Sequence, residues 1–238
     1  MKAFSKKRAV VTGGTKGIGL AIATKLHDNG HEVLVTGTKQ TTTINKNFLY
    51  HMADFSTMTE IHGFADFLKK YSPDILINNA GINIISSFEN ISLKSFLNIQ
   101  QVNVTAPFCL CQAALPHMKK NNWGRIVNIA SIWSKISKIG RAAYSTSKFG
   151  LDGMTAALAA EVAANGILAN CVSPGFTLTD LTKNTLGEDG MQKIAEHIPM
   201  KRLAEVEEIA NFVYWLVSEE NTYISGQNLV IDGGFTRV

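Results

Sequence analysis

At 238 residues the chain is long enough for one α/β domain with a full core, and a balance of 45% hydrophobic to 18% charged residues excludes a disordered chain. No apolar run approaches the roughly 18–20 residues of a membrane span, and the net charge of +4 is scattered without interleaved aromatics, which argues against nucleic acid. Cys109, Cys111 and Cys171 have neither metal-ligand nor redox spacing and read as small buried hydrophobes, so no metal site and a cytoplasmic location are expected.

The basic start, residues 1–8, lacks the apolar stretch and cleavage site of a signal peptide and runs into Ala9-Val10-Val11. Strands are expected over residues 8–12, 32–36, 48–53, 75–78, 125–129, 168–173 and 228–231. Helices are expected over 17–29, 57–70, 93–121, 142–165 and 205–218. Asn29-Gly30 and Asn165-Gly166 supply helix stops. Near-continuous apolar strands alternating with helices predict an α/β fold: one doubly wound parallel sheet of seven strands, with helices on both faces. Such sheets bind ligands outside the carboxyl ends of their strands.

The first expected strand runs directly into Thr12-Gly13-Gly14-Thr15-Lys16-Gly17-Ile18-Gly19, and a helix follows. Glycines permit a tight turn and let backbone N–H groups approach a pyrophosphate, while the helix N-terminus adds partial positive charge. The spacing is G-x-x-x-G-x-G, out of register with G-x-G-x-x-G.

This loop resembles the cofactor loop of the short-chain dehydrogenase/reductase family, and further motifs follow in order. They are Asp54 after the third strand, Asn78-Asn79-Ala80-Gly81 after the fourth, and Asn103 in the long helix. Ser131 comes after the fifth strand, Tyr144-x-x-x-Lys148 on the next helix, and Pro174-Gly175 with Thr179 after the sixth. The resemblance covers nearly the whole chain. It implies a single Rossmann-type domain over 1–238, with a cofactor half of about 1–100 and a catalytic and substrate half of about 101–238. The cofactor contacts it implies are Gly13, Thr15, Lys16, Gly17, Ile18, Gly19, Thr38, Lys39, Asp54, Phe55, Asn79, Ala80, Gly81, Tyr144, Lys148, Pro174, Gly175, Thr177 and Thr179.

The end of the second strand meets the adenine ribose in a dinucleotide site, and an acidic residue there selects a free 2′-hydroxyl. Here it reads Thr36-Gly37-Thr38-Lys39, with no acid. Lys16 and Lys39 with Thr38 suit a 2′-phosphate, so NADP(H) is expected over NAD(H). The connection from Lys39 to Phe48 is short where family members usually carry a helix, which leaves the adenine side open.

Reduction of a ketone needs an acid for the developing alkoxide. A tyrosine of ordinary pKa, about 10, must become more acidic by about 4 kcal/mol to exchange its proton near pH 7. An ammonium about 4 Å away supplies roughly that at an effective dielectric near 20. Tyr144 and Lys148, four apart on an alanine-rich helix, share a face. Ser131 at the end of a strand can hydrogen-bond the substrate oxygen. By resemblance, Asn103 holds a water that links Lys148 to solvent. The catalytic set expected is Asn103, Ser131, Tyr144 and Lys148. A serine hydrolase is the competitor, but Ser131 lies in Asn128-Ile129-Ala130-Ser131-Ile132, not in G-x-S-x-G.

Three segments are expected to shape the substrate pocket: 82–88, 132–141 with Trp133 and Ile136, and a lid over about 176–200 containing Gly187 and Gly190. Within the family the chain looks most like the reductases of 3-oxoacyl chains on acyl carrier protein. A small-molecule or carrier-bound carbonyl is therefore the expected partner, with Lys119, Lys120 and Arg125 as flanking cations. A reductase of a sugar derivative, a hydride-borrowing epimerase and an inactive dinucleotide sensor are the alternatives. Resemblance also implies a homotetramer or dimer, with Ala156, Ala157, Ala160, Val162 and Ala163 forming a face for helix contact and 225–234 a second contact region.

Overall fold

The computed structural model describes residues 6–40 and 47–238. The basic start and most of the short connection after Lys39 (residues 1–5 and 41–46) lie outside the described residues. Seven strands form one all-parallel sheet: β1 Arg8–Val11, β2 Glu32–Gly37, β3 Leu49–Met52, β4 Ile75–Asn78, β5 Gly124–Ile129, β6 Ile167–Pro174 and β7 Asn228–Ile231. Their order is β3-β2-β1-β4-β5-β6-β7. The order reverses between β1 and β4, which opens a crevice at the carboxyl ends of those strands.

The inner strands are largely apolar on both faces because both are covered, whereas the edge strands β3 and β7 are partly exposed. Val10, Leu34, Leu76, Ile126 and Ala169 point to one layer, and Ala9, Val11, Val33, Ile77, Val127 and Val172 to the other. The first layer is closed by α2 (Met58–Tyr71), α4 (Ala106–Lys120) and α5 (Ala142–Val162), the second by α1 (Gly17–Asp28) and α7 (Val206–Val217). Each large aliphatic side chain so buried contributes roughly 1.5–3 kcal/mol.

Two expected elements differ. The long helix over 93–121 is divided: α3 (Leu93–Gln100) passes through a π-helical turn, Gln101–Thr105, before α4 begins. The segment expected as a lid is largely helical. Within it α6 (Asp180–His197) starts on Thr179, whose hydroxyl accepts the Thr182 N–H at 3.1 Å, and breaks at Gly187 (φ 63°, ψ 178°). Glycine is required there because an L side chain disfavours that backbone. Val162, expected on an outward face of α5, is 1% exposed and belongs to the core, whereas Ala156, Ala157, Ala160 and Ala163 are exposed.

Candidate active site

The glycine loop is clamped against the loop after β4. The Thr12 hydroxyl accepts the N–H groups of Asn79 (2.9 Å) and Ala80 (3.0 Å), and the Asn79 carboxamide donates to the carbonyls of Thr12 (2.9 Å) and Gly13 (3.1 Å). The Thr36 hydroxyl accepts the Gly13 N–H at 3.1 Å. Thr12 and Thr36 were not among the expected site residues. The signal was a hydroxyl near the end of an otherwise apolar strand. A Cβ on Gly19 would stand 2.4 Å from the Asn79 carboxamide nitrogen, and one on Gly13 3.1 Å from the Ala80 Cα, so the loop closes only with glycine at these places.

The start of α1 suits a phosphate. Lys16 is its N-cap and makes no side-chain cap bond, and the first turn holds no acid. The first N–H groups of a helix lack intrahelical partners, and the local charge favours an anion. Thr179 completes the cradle: a Cβ on Gly17 would meet its methyl at 3.5 Å. Thr15 reaches Gly37. These residues fit a dinucleotide.

Other expected contacts are less direct. Thr38 and Lys39 are exposed beyond β2, and the Lys39 carbonyl takes the Tyr50 hydroxyl. Ile18 is half-buried and packs on the core under α1. Asp54 is exposed and accepts the Ser56 N–H at 2.9 Å. Phe55 is 5% exposed, its ring packs near Phe64 and its carbonyl accepts from the Gln101 carboxamide at 3.2 Å. After Pro174, Gly175 donates to the Ile231 carbonyl at 2.8 Å, and the buried Thr177 hydroxyl turns back to the Gly175 carbonyl at 3.3 Å.

The residues expected to be catalytic converge at the end of β5. Ser131 is extended (φ −174°) and opens a 3₁₀ turn, its hydroxyl accepting the Trp133 N–H at 3.3 Å. That turn is anchored from beneath. The Ser134 hydroxyl donates to the Ser131 carbonyl at 2.6 Å and meets the Ser173 hydroxyl at 2.9 Å. Asn228 bonds both, at 2.9 Å to Ser134 and 2.6 Å to Ser173. The network ties β5, β6 and β7 together under the turn.

On α5, the Lys148 ammonium lies 5.5 Å from the Tyr144 ring centroid and donates to the Ile129 carbonyl at 2.7 Å. Burial pulls Lys148 down to about 8. Burial raises the Tyr144 phenol above its ordinary value, and the Ser131 side chain and the Arg141 charge offset part of that rise. The ammonium expected to acidify Tyr144 is turned to the strand carbonyl, and burial disfavours its charged form.

Asn103 lies inside the π-helical turn, 1% exposed. Its carboxamide accepts the Ile82 N–H (2.9 Å) and donates to the Ile82 carbonyl (2.9 Å) and to Ser147 (3.0 Å). A Cβ on Gly81 would stand 3.4 Å from the Asn103 carboxamide oxygen and 3.6 Å from the Lys148 nitrogen, which shows how closely β4, the π turn and α5 meet. Four residues on, Pro107 has no N–H to offer the Asn103 backbone carbonyl in α-helical fashion. The π turn itself closes through the Ala106 N–H on the Gln101 carbonyl, and π turns of this kind recur at functional sites.

A family model described as enoyl-(acyl carrier protein) reductase matches residues 13–236. This chain belongs to the short-chain dehydrogenase/reductase family. It is 38% identical to the 3-oxoacyl-[acyl-carrier-protein] reductase FabG of Aquifex aeolicus, over 96% of each chain. It is 41% identical to the protein of the same name from Buchnera aphidicola, over 97% of this chain and 98% of that one. A crystal structure from Beutenbergia cavernae, described as an NAD(P) dependent gluconate 5-dehydrogenase with NADP bound at low occupancy, is 31% identical over the full length of both. Its TM-score is 0.92.

The segments expected to shape the substrate pocket bring aromatic side chains together. Trp133 is buried and meets Phe176 edge-on at 6.4 Å, and Phe176 meets Phe235 at 5.2 Å. Ile136 is half-buried in the same segment. Arg125 is not a surface cation: it is 5% exposed, stacks on Trp123 at 4.6 Å and donates to the carbonyls of Gly124, Gly166 and Asn221. Among the described residues no helix is long and apolar enough to cross a membrane, and no group of three metal-ligating side chains gathers.

Proposed function

We propose that this chain is an NADP(H)-dependent reductase of 3-oxoacyl thioesters, working through Ser131, Tyr144 and Lys148 with Asn103 in support. The observation that carries the reading is the convergence of these side chains at the carboxyl end of β5, opposite the clamped glycine loop. The similarity to the two 3-oxoacyl-carrier reductases supports the substrate class.

Residues of about 1–100 hold the dinucleotide. The N-terminus of α1 and Thr179 bind the pyrophosphate, Asn79 to Gly81 line the far wall, and Lys16, Thr38 and Lys39 face the 2′-phosphate. The bound nicotinamide supplies the hydride. Residues of about 101–238 handle substrate and proton. Ser131 donates to the carbonyl oxygen and stabilises the charge that builds there. Tyr144 is protonated at neutral pH and so stands ready as the acid for that oxygen. Lys148, held on the Ile129 carbonyl, would orient the cofactor ribose, and its charge acts to lower the phenol's pKa. Asn103 presents a backbone carbonyl, denied its α-helical donor by Pro107, to a water that refills Tyr144. The segment over 176–200, with its break at Gly187, closes over the substrate.

The acyl chain arrives on a carrier protein or as a small thioester, and the enzyme works in the cytoplasm as a homotetramer. A second reading, a dehydrogenase of a sugar acid, is favoured by the similarity to the gluconate 5-dehydrogenase structure. Steady-state assays with NADPH decide between them. Turnover of acetoacetyl thioester far above that of a keto-gluconate supports the first reading, and the reverse order supports the second.

A further inference from the structure

Tyr50 stands on the edge strand β3, and the hydride-transfer chemistry gives it no task. It pairs with Val35 of β2, and its half-buried ring packs on the layer closed by α1. From there it reaches the segment after β2: its hydroxyl donates to the backbone carbonyl of Lys39. Gly37, two residues earlier, leaves room for that reach. A Cβ on Gly37 would stand 3.2 Å from the Tyr50 hydroxyl oxygen, 3.4 Å from its ring and 2.9 Å from the Thr15 methyl. Tyr50, the end of β2 and the glycine loop therefore meet at one point. Burial raises the Tyr50 phenol above its ordinary value, so the hydroxyl keeps the proton it donates.

What Tyr50 holds has few other ties. Up to Gly37 the backbone is fixed by its neighbours: the Gly14 N–H donates to the Thr36 carbonyl at 3.1 Å, and the Ala53 N–H to the Gly37 carbonyl at 2.9 Å. Beyond that point Thr38 and Lys39 are exposed, and among the described residues the Tyr50 hydroxyl makes the one hydrogen bond to either. Among the described residues Lys39 also pairs with no carboxylate. Its charge is therefore open to a phosphate. A backbone that is free before binding must be ordered when the phosphate arrives, and that ordering weakens binding. A segment tied down beforehand avoids the loss.

We infer that Tyr50 is a positioning residue for cofactor choice: its hydroxyl fixes the Lys39 backbone, so that the Lys39 ammonium stands ready for the 2′-phosphate that distinguishes NADPH from NADH. The inference rests on the proposed reading of Lys39 as a 2′-phosphate contact. β2, β1 and β4 lie between Tyr50's strand and β5, whose end leads to Ser131. The effect of the Tyr50 hydroxyl is therefore expected on the affinity for NADPH, and NADH, which lacks the 2′-phosphate, should not feel it.

The test measures the Kd for NADPH and for NADH by fluorescence titration on wild type, Tyr50→Phe, Lys39→Gln and the double variant. Phenylalanine keeps the ring and removes only the hydroxyl, and NADH binding checks that the pocket stays folded. The expected result for Tyr50→Phe is a Kd for NADPH raised about three- to tenfold, with the Kd for NADH within about twofold of wild type. Lys39→Gln should show a selective loss at least as large. Adding Tyr50→Phe to it should weaken NADPH binding by less than about twofold more, because the hydroxyl acts through Lys39. If Tyr50→Phe weakens both cofactors equally or neither, while Lys39→Gln remains selective, the inference is overturned and the Lys39 reading stands. A full further loss in the double variant would overturn it as well, since the hydroxyl would then act apart from Lys39. No selective loss in Lys39→Gln would sink the Lys39 reading and the inference with it.

Discussion

The ammonium of Lys148 is bound by the backbone carbonyl of Ile129, 2.7 Å away at the last residue of β5. That bond joins the helix carrying Tyr144 to the strand that leads into Ser131, so the parts of the reacting constellation are fixed on two rigid elements. It also sets a cost, because the charged lysine is held at 4% exposure and, among the described residues, pairs with no carboxylate.

The cost has a pH signature. Lys148 titrates near 8 in the folded chain and near 10.5 when unfolded. Below about 8 both states carry the proton, and the full penalty of burying the charge is present. Between about 8 and 10.5 the unfolded chain binds more protons, so stability rises with pH, by about 3 kcal/mol over the window. Lys148→Met should raise the Tm of the cofactor-free protein at pH 7, abolish turnover, and flatten this rise relative to wild type. Thermal melts of both proteins across pH 7 to about 10 check it.

Gly19→Ala should destabilise the protein by about 1–3 kcal/mol and weaken NADPH binding at least tenfold. The new methyl would overlap the Asn79 carboxamide at 2.4 Å and break the clamp that aims the loop. Chemical denaturation and fluorescence titration with NADPH measure the two effects.

Lys39→Glu should reverse the cofactor preference. An acid beyond β2 would accept from a ribose hydroxyl and repel a 2′-phosphate. Losing a charge-assisted phosphate contact costs about 1.5–3 kcal/mol, so kcat/KM for NADPH should fall at least tenfold relative to NADH. An unchanged ratio would place Lys39 away from the cofactor.

The buried Ser134–Ser173–Asn228 network predicts a rate effect at a distance. Asn228→Ala leaves two buried hydroxyls short of a partner, at about 1–3 kcal/mol. Because the network holds the Ser131 turn, kcat should fall by about tenfold while the Kd for NADPH stays within about twofold. Stopped-flow binding and steady-state assays separate the two.

The sheet was legible because strands buried on both faces are uniformly apolar. β4 (Ile75–Asn78), fully buried, begins and ends where expected, and so does β7 (Asn228–Ile231), an edge strand whose short apolar run stands out despite partial exposure. The places of the glycine loop, Asn79, Ser131, Tyr144 and Lys148 in the fold were legible because each follows a strand end or sits at helical spacing, whereas their roles are proposals. α6 was hidden, since its sequence is polar and broken by Gly187, features shared with a loop. The π turn was hidden in an unbroken helical pattern, although Pro107 four residues after Asn103 carries the clue. The network beneath Ser131 could not be read at all: Ser134, Ser173 and Asn228 are brought together only by the pairing of β5, β6 and β7. Arg125 looked like a surface cation because nothing local reveals that it stacks on Trp123 beneath backbone carbonyls.

The central claim is that Tyr144 gives the proton for a ketone reduced at the expense of NADPH. It is tested most directly by following NADPH absorbance with acetoacetyl thioester in wild type and Tyr144→Phe, with NADPH affinity measured on both. The account predicts steady oxidation in wild type, a rate lower by about a hundred- to ten-thousandfold in the variant, and similar affinity in both. A variant that turns over at the wild-type rate would contradict it.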